Sequence, residues 1–142
     1  MLKKIRLTLI LSGGFFLFLD QWLKYQSAHA WSSPHLLNKF FGWQPSVNPG
    51  IGFGLPVPNF LIILLTLIIL AVVVYLFLKS QNKISDWALA LIFTGAVSNL
   101  IDRLIFGHVL DYFLLFTSLI NLGDFFIVSG FVIYLVRTSS KS

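Results

Sequence analysis

Residues 95–124 read GAVSNLIDRLIFGHVLDYFLLFTSLINLGD, and this stretch decides the fold because it places charged residues among apolar ones. Three of the chain's five carboxylates lie within it, at Asp102, Asp111 and Asp124. A charged residue at the centre of a membrane helix costs roughly 2.5–3.5 kcal/mol on insertion scales. Charges in such a stretch are therefore expected to be paired, to lie near a membrane interface, or to serve a function.

The composition is that of an integral membrane protein. Hydrophobic residues make up 57% of the 142 residues and charged residues only 11%, whereas soluble domains carry about 25% charged residues. We therefore expect a single all-α membrane domain over residues 1–142. The sequence has no cysteine, which excludes disulfides, thiolate nucleophiles and Cys-ligated metals. The net charge of +5 does not indicate a nucleic-acid partner, because the basic residues form no stripe.

Four apolar runs predict transmembrane helices at about residues 7–24, 59–78, 87–105 and 121–136. Residues 59–78 form an uninterrupted apolar run that is long enough to cross the hydrocarbon core, which takes about 20 residues. Ser85 or Asp86 is the expected N-cap of the third helix. Residues 25–58 form a small extracytoplasmic loop in which residues 36–47 make one or two short strands. Residues 110–120 are predicted to be an apolar link at the membrane interface.

The first apolar run has two interpretations. Basic residues precede it and Ala28-His29-Ala30 follows it, as in a cleaved secretory signal peptide. However, Asp20 and Lys24 lie between the apolar run and that site, where Asp is unusual. We therefore favour an uncleaved first helix in which Asp20 and Lys24, four residues apart, form an ion pair.

The basic residues predict the orientation of the spans. One side of the membrane would hold the N-terminus, the loop at residues 79–86 and the C-terminus, together with most of the lysines and arginines. The opposite loops hold little beyond Lys24 and Lys39. The positive-inside rule then places both termini in the cytoplasm. With this orientation, all the candidate polar residues fall near the outer face.

Two aspartates in apolar surroundings, without Cys or a credible Ser triad, predict a pair like that of aspartic proteases. In such a pair one carboxylate activates water while the other donates a proton to the carbonyl oxygen. Polar neighbours occur at helical spacing around it. We expect cationic side chains to hold carboxylates or backbone, and amides to orient the pair or bind substrate: Lys24, Arg103, Asn48, Asn99 and Asn121. His29, His35 and His108 show no ligand spacing, so no metal and no cofactor are expected.

Four motifs, taken together and in order, resemble the lipoprotein signal peptidase (signal peptidase II) family. They are Asp20-x-x-x-Lys24, Asn48-x-Gly50-x-x-Phe53-Gly54, the long motif from Gly95 through Asn99, Asp102, Arg103, Gly107 and Val109 to Asp111, and Asn121-x-x-Asp124. The resemblance covers nearly the whole chain. Small or apolar departures from the family pattern leave the polar set intact: Gly52, Ala96, Ile120 and Gly123.

The resemblance implies an intramembrane aspartyl peptidase of the bacterial inner membrane, with its site near the outer face. Its substrate would be a lipid-modified prolipoprotein, cut before the diacylglyceryl-modified Cys, and globomycin-type inhibitors would bind. Asp111 and Asp124 match the catalytic pair. The remaining motif residues match supporting positions: Asp20, Lys24, Asn48, Gly50, Asn99, Asp102, Arg103 and Asn121.

Other interpretations of the same residues remain open at this point. Asp102 and Arg103 suit a structural ion network, and Asp20 with Lys24 suits a structural pair. Asp124 also fits position N3 of the fourth helix, where a carboxylate is favourable. A small four-span transporter or channel with an Asp/Arg ion relay is the alternative function. Such proteins often carry internal repeats and midplane sites, and neither is evident in this sequence.

Overall fold

The computed structural model describes residues 2–51 and 57–140, so Phe53 and Gly54 of the second motif lie outside the described residues. The described residues form four long helices: α1 (Leu2–Ala28), α2 (Asn59–Lys79), α3 (Lys83–Phe106) and α4 (Leu122–Ser139). All four are long and apolar enough to cross a membrane. The predicted number of helical spans is confirmed. The first span is longer at both ends than residues 7–24.

Helix α3 is the central element of the fold. Half of the residues in its apolar span are buried, against 11–17% in the other three helices. One hydrophobic cluster joins Leu70 of α2 to Ala96 and Leu100 of α3, and Ile127 of α4 packs against it. Helices α3 and α4 approach so closely that a Cβ on Gly95 would collide with the carbonyl oxygen of Gly123. Small residues at such contacts let membrane helices pack backbone to backbone.

The start of α3 corrects one prediction. The helix begins at Lys83, and the side chain of Asn82 accepts hydrogen bonds from the N–H groups of Ile84 and Ser85. Asn82 is therefore the N-cap, and assigning that role to Ser85 or Asp86 was wrong. Asp86 lies in the first helical turn and is fully buried. It pairs there with Arg6 of α1 at 3.2 Å.

A four-stranded antiparallel sheet lies beside the helices, in the order β1-β2-β3-β4. Strands β1 (His35–Asn38) and β2 (Phe41–Asn48) confirm the strands predicted between α1 and α2. Strands β3 (Val109–Leu115) and β4 (Ser118–Ile120) replace the predicted apolar link at residues 110–120. The prediction of an interfacial link did not include these strands, because a short apolar run does not reveal its backbone pairing, and here β3 pairs with β2.

The ends of the sheet strands bring the second and third motifs together. Gly107 ends α3 in the left-handed conformation, with φ at 77°, and the chain then enters β3. Such a residue stops a helix and is usually glycine, which has no Cβ to clash. In the β2–β3 register, Ser46 lies opposite Asp111 and Asn48 opposite Val109. Asn48 and Asp111 are therefore neighbours across the strands.

Candidate active site

Asp111 occupies a buried position on β3, where only 2% of its surface is exposed. Each of its carboxylate oxygens accepts one amide hydrogen bond. Asn48 donates from Nδ2 to Oδ2 at 3.0 Å, and Asn121 donates from Nδ2 to Oδ1 at 2.7 Å. The backbone N–H of Gly50 in turn donates to Asn48 Oδ1 at 3.2 Å, so the Asn48 amide is held with its NH₂ group toward the carboxylate.

Asn121 connects Asp111 to Asp124 through the start of α4. It is the N-cap of that helix, and its Oδ1 accepts a hydrogen bond from the Asp124 N–H at 2.8 Å. The Asn121 N–H donates to Asp124 Oδ2 at 3.2 Å, which completes a capping box. Since the oxygen of the Asn121 amide is engaged by the helix, its NH₂ group must point to Asp111. Helix initiation and the orientation of both carboxylates therefore depend on one residue.

Asp124 receives a further hydrogen bond from α3. Asn99 donates from Nδ2 to Asp124 Oδ1 at 2.7 Å. The oxygen of the same Asn99 amide accepts from Lys24 Nζ at 2.9 Å. A cation on α1 therefore polarises the amide that binds the Asp124 carboxylate. Asp124 is half-buried, more open than Asp111.

Lys24 is the centre of a buried ion network that joins α1 to α3. Its Nζ lies 2.9 Å from Asp20 Oδ2 and 2.9 Å from Asp102 Oδ2, and all three side chains are at most 2% exposed. The predicted Asp20–Lys24 pair is confirmed as a contact. Two polar residues complete the network, since Ser98 donates to Asp20 at 2.5 Å and Gln21 donates to Asp102 at 2.9 Å. These bonds satisfy buried charges that would otherwise be costly.

Arg103 binds backbone and an amide. Its Nη2 donates to the carbonyl oxygen of Gly50 at 2.5 Å and its Nη1 to Asn59 Oδ1 at 3.4 Å. Asn59 returns a bond to the Arg103 carbonyl at 3.2 Å. No ion pair of Arg103 occurs within residues 2–51 and 57–140. Arg103 therefore ties the segment that follows β2 to α3 and to the start of α2.

Comparison with known proteins agrees with this geometry. A family model described as signal peptidase (SPase) II matches residues 5–139. The chain belongs to the signal peptidase II family. A lipoprotein signal peptidase of Caldanaerobacter subterraneus subsp. tengcongensis is 35% identical over 127 residues, which cover 84% of this chain and 88% of the relative. A lipoprotein signal peptidase of Syntrophus aciditrophicus is 32% identical over 122 residues, covering 78% of this chain and 76% of the relative.

A solved structure has a similar fold. It is described as a bacterial membrane enzyme obtained by the in meso method at 2.3 Å resolution, and it superposes with a TM-score of 0.85 at 25% identity. The match covers 94% of this chain and 88% of that structure. The protein is therefore an aspartic peptidase that spans the bacterial inner membrane several times. The alternative of a transporter or channel is not supported.

Electrostatics in the peptidase favour a proton on the candidate pair. Burial, and after it the nearby Asp124, raise the pKa of Asp111 from its ordinary 3.8 to about 6, although the hydrogen bonds from Asn48 and Asn121 oppose the rise. Four carboxyl groups and two cations lie in this region, which disfavours full ionisation: Asp20, Asp102, Asp111 and Asp124 with Lys24 and Arg103. Asp111 can therefore hold a proton near neutral pH.

Three polar residues near the end of α3 have different sets of partners. From α3, Asn99 contacts Asp124 and Lys24, Asp102 contacts Lys24 and Gln21, and Arg103 contacts Gly50 and Asn59. Of these three α3 residues, only Asn99 donates a hydrogen bond to the aspartate pair.

Sequence reasoning missed four polar contributors to these networks: Gln21, Asn59, Ser98 and Tyr112, whose hydroxyl donates to Asp20 Oδ1 at 2.6 Å. Ser98 lies four residues before Asp102, and Gln21 follows Asp20, so polarity within an apolar run could have drawn attention to both. Tyr112 gave no such signal, because it lies in an aromatic and aliphatic strand where a ring is expected to pack.

The opposite end of the bundle holds a separate ion pair. Arg6 donates from Nη2 to the carbonyl oxygens of Phe77 and Ser80, at 2.8 Å each, besides pairing with Asp86. This cluster joins α1 to the end of α2 and the start of α3. Among the described residues, no group of three or more His, Cys, Asp or Glu side chains could hold a metal ion.

Proposed function

We propose that Asp111 and Asp124 are the catalytic pair with which the peptidase cuts prolipoproteins before their diacylglyceryl-modified Cys. The family removes signal peptides from prolipoproteins. The observation that carries the proposal is the double use of Asn121, whose side chain binds Asp111 while its backbone binds Asp124. The start of α4 thus holds two carboxylates that are close enough for the charge of Asp124 to raise the pKa of Asp111. Every other Asp in the chain is ion-paired to Lys24 or Arg6.

The proposed reaction uses one ionised and one protonated carboxyl group. The ionised member removes a proton from water as the water oxygen bonds to the scissile carbonyl carbon. The protonated member gives its proton to the carbonyl oxygen, which forms a neutral tetrahedral intermediate. Collapse of that intermediate breaks the C–N bond. The proton taken from water goes to the leaving nitrogen, and one hydroxyl group of the intermediate returns its proton to the other carboxylate, which restores the starting pair.

The two carboxyl groups have different surroundings, which supports a division of roles. Asp124 lies at position N3 of α4, where the helix dipole favours a negative charge. It also binds the Asn99 amide that Lys24 polarises. Asp111 is the less exposed of the two, because only 2% of its surface is accessible whereas Asp124 is half-buried. We therefore assign the resting proton to Asp111 and the role of base to Asp124.

The supporting residues orient the pair in this proposal. Asn48, Asn99 and Asn121 all donate side-chain amides to the aspartates, so they serve as orienting groups. Asp20, Lys24 and Asp102 fix Asn99 and α1 against α3. Arg103 holds the Gly50 carbonyl and thereby the segment that carries Asn48.

The proposal includes the membrane setting. We infer one domain over residues 1–142, both termini in the cytoplasm and the aspartate pair near the outer face. The basis is the excess of lysine and arginine in the predicted cytoplasmic segments. The lipid-modified signal peptide and surrounding lipid are the expected partners, and globomycin-type inhibitors are expected to compete for the site.

A gel-shift assay with a diacylglyceryl-modified prolipoprotein tests the catalytic pair. Asp111→Asn and Asp124→Asn should each insert and bind substrate but fail to cleave, and the double variant should be no worse. Asp86→Asn is the matched control, because Asp86 is a buried Asp on α3 in the separate Arg6 cluster. Asp102→Asn should impair rate or yield without eliminating turnover. Substantial cleavage by either Asp111 or Asp124 variant, at matched expression, would refute the mechanism.

A further inference from the structure

The hydroxyl group of Tyr112 is a buried junction between the two elements that carry the aspartate pair. Tyr112 follows Asp111 on β3, and its surface is 0% exposed. Its hydroxyl donates to Asp20 Oδ1 at 2.6 Å and accepts from the Leu122 N–H at 3.0 Å. Leu122 is the first residue of α4, two positions before Asp124. A single oxygen atom therefore joins the strand of one aspartate to the helix of the other.

We propose that Tyr112 is a positioning residue that fixes the spacing of Asp111 and Asp124 by hydrogen-bonding the start of α4. This inference rests on the proposed catalytic pair. Tyr112 acts through backbone and through Asp20, so it contacts neither reacting carboxyl group in this role.

The acceptor of the Tyr112 hydroxyl is itself firmly held. Asp20 Oδ2 accepts from Ser98 at 2.5 Å and pairs with Lys24 at 2.9 Å, which fixes the carboxylate against α3. Its Oδ1 also accepts from the Leu122 N–H at 3.1 Å. Burial and the adjacent Asp20 raise the pKa of Tyr112, so the hydroxyl keeps its proton and remains a donor. The start of α4 is thus hydrogen-bonded to α1 and to β3 at one point.

The ring of Tyr112 is held separately from its hydroxyl. It stacks on Trp43 of β2 with ring centroids 5.0 Å apart. Trp43 in turn donates its Nε1–H to the carbonyl oxygen of Trp31 at 2.7 Å. A Phe at position 112 can keep this packing, so the substitution removes only the two hydrogen bonds of the hydroxyl, to Asp20 and from Leu122.

The first test compares Tyr112→Phe with wild type for cleavage of the lipidated prolipoprotein. We expect kcat to fall about 10- to 100-fold with KM within about twofold, because small misplacements of catalytic groups cost up to that much. The alkaline limb of the pH profile should move to lower pH, since a looser pair raises the pKa of Asp111 less. Tyr134→Phe is the control, because Tyr134 is half-buried near the far end of α4.

A second variant breaks the junction from the helix side. Leu122→Pro deletes the N–H that donates to Tyr112 and also to Asp20 Oδ1, and Pro is favoured at the first position of a helix. The preceding Asn121 has φ −118° and ψ 175°, an extended conformation that a following Pro allows. We expect the same loss of kcat and the same pH shift, and the double variant should be no worse than Leu122→Pro alone. This variant tests the proposal even if Tyr112→Phe fails to fold.

The outcomes separate this inference from the proposed function. Normal kcat and pH profile in folded Tyr112→Phe, with Asp111→Asn inactive, would overturn the positioning role alone. A lower melting temperature with unchanged kcat per folded molecule would also overturn it, because Tyr112 would then serve stability only. Activity in Asp111→Asn would refute the catalytic pair instead.

Discussion

Lys24 donates a hydrogen bond of 2.9 Å to the side-chain oxygen of Asn99, and this bond fixes which way the Asn99 amide faces. The Asn99 NH₂ group is then directed at Asp124, which it reaches at 2.7 Å. The positive charge of Lys24 is thus felt at Asp124 through one intervening amide, although Lys24 is itself paired with Asp20 and Asp102.

Two substitutions of Asn99 test this connection. Asn99→Ala removes one hydrogen bond to the proposed base and should lower kcat by about 10-fold, since charge-assisted hydrogen bonds are worth about 1.5–3 kcal/mol. Asn99→Asp places a carboxylate against Asp124 and should lower kcat further, because like charges repel. Steady-state kinetics on the lipidated prolipoprotein measure both. Higher activity in Asn99→Asp than in Asn99→Ala would contradict the orienting role.

The raised pKa of Asp111 predicts how activity depends on pH. Since the reaction needs one proton on the pair, kcat/KM should fall as pH rises beyond about 6, the value for Asp111 without substrate. A pH–rate profile with buffers of constant ionic strength measures this limb. A flat profile from pH 5 to pH 9 would be inconsistent with a protonated Asp111.

The same shift predicts a dependence of stability on pH. The folded pKa of Asp111 lies above its ordinary 3.8, so the folded state binds more protons than the unfolded state between about 4 and 6. Asp111 therefore destabilises the fold progressively as pH rises through that window. The melting temperature of Asp111→Asn relative to wild type should accordingly increase between pH 4 and pH 7. A constant difference would show that Asp111 does not titrate there.

Close packing of α3 on α4 is needed to place Asn99 beside Asp124. A Cβ at Gly95 would collide with backbone of Gly123, so Gly95→Ala should separate the helices and lower both stability and kcat. Gly14→Ala is the matched control, because nothing lies within 4 Å of a Cβ there and Ala is better than Gly within a helix by roughly 0.5–1 kcal/mol. In Gly95→Ala both the melting temperature and the turnover should therefore fall. In the Gly14→Ala control both should rise or stay unchanged. Equal changes of melting temperature and turnover in the two variants would contradict a role for the close α3–α4 contact.

The orientation of the helices can be tested by labelling single cysteines in the naturally Cys-free chain. Cysteine at Ser33 should react with an impermeant thiol reagent in intact cells, whereas cysteines at Gln81 and Ser140 should react only after lysis. The reason is the predicted cytoplasmic location of the basic segments around positions 81 and 140. Labelling at Gln81 but not at Ser33 in intact cells would reverse the proposed topology.

Hydrophobic runs and helix-end residues made most of the fold predictable. The 20 apolar residues before Lys79 permit little besides a span, and Asn121 with Asp124 carries the spacing of a helix start. Strands β3 and β4 were not predictable, because β3 forms through pairing with β2, far away in sequence, and β4 then pairs with β3. The N-cap of α3 was predicted three or four residues too late, because Asn, Ser and Asp are all favourable N-cap residues. In the structure Asn82 caps the helix, and the Asp86 side chain binds Arg6.

The sequence also indicated which polar residues gather, but not their partners. Asn99, Asp102 and Arg103 lie close together on α3, yet their sets of partners differ. Asn99 contacts α4 and α1, Asp102 contacts α1, and Arg103 contacts the segment after β2 and the start of α2. Partner choice depends on the packing of α1, α2 and α4 around α3, which local spacing cannot express. The contribution of Tyr112 was hidden for the same reason, because its hydroxyl meets Asp20 from a helix 92 positions earlier in the chain.

The capping box at Asn121 has a consequence for the timing of activity. The atoms that begin α4 are the same atoms that orient Asp111 and Asp124. During synthesis the first three helices emerge before α4, so the incomplete chain has no oriented pair of carboxylates. On the proposed mechanism, cutting activity therefore arises only after the last helix has entered the membrane, and a chain truncated before Asn121 carries no latent peptidase.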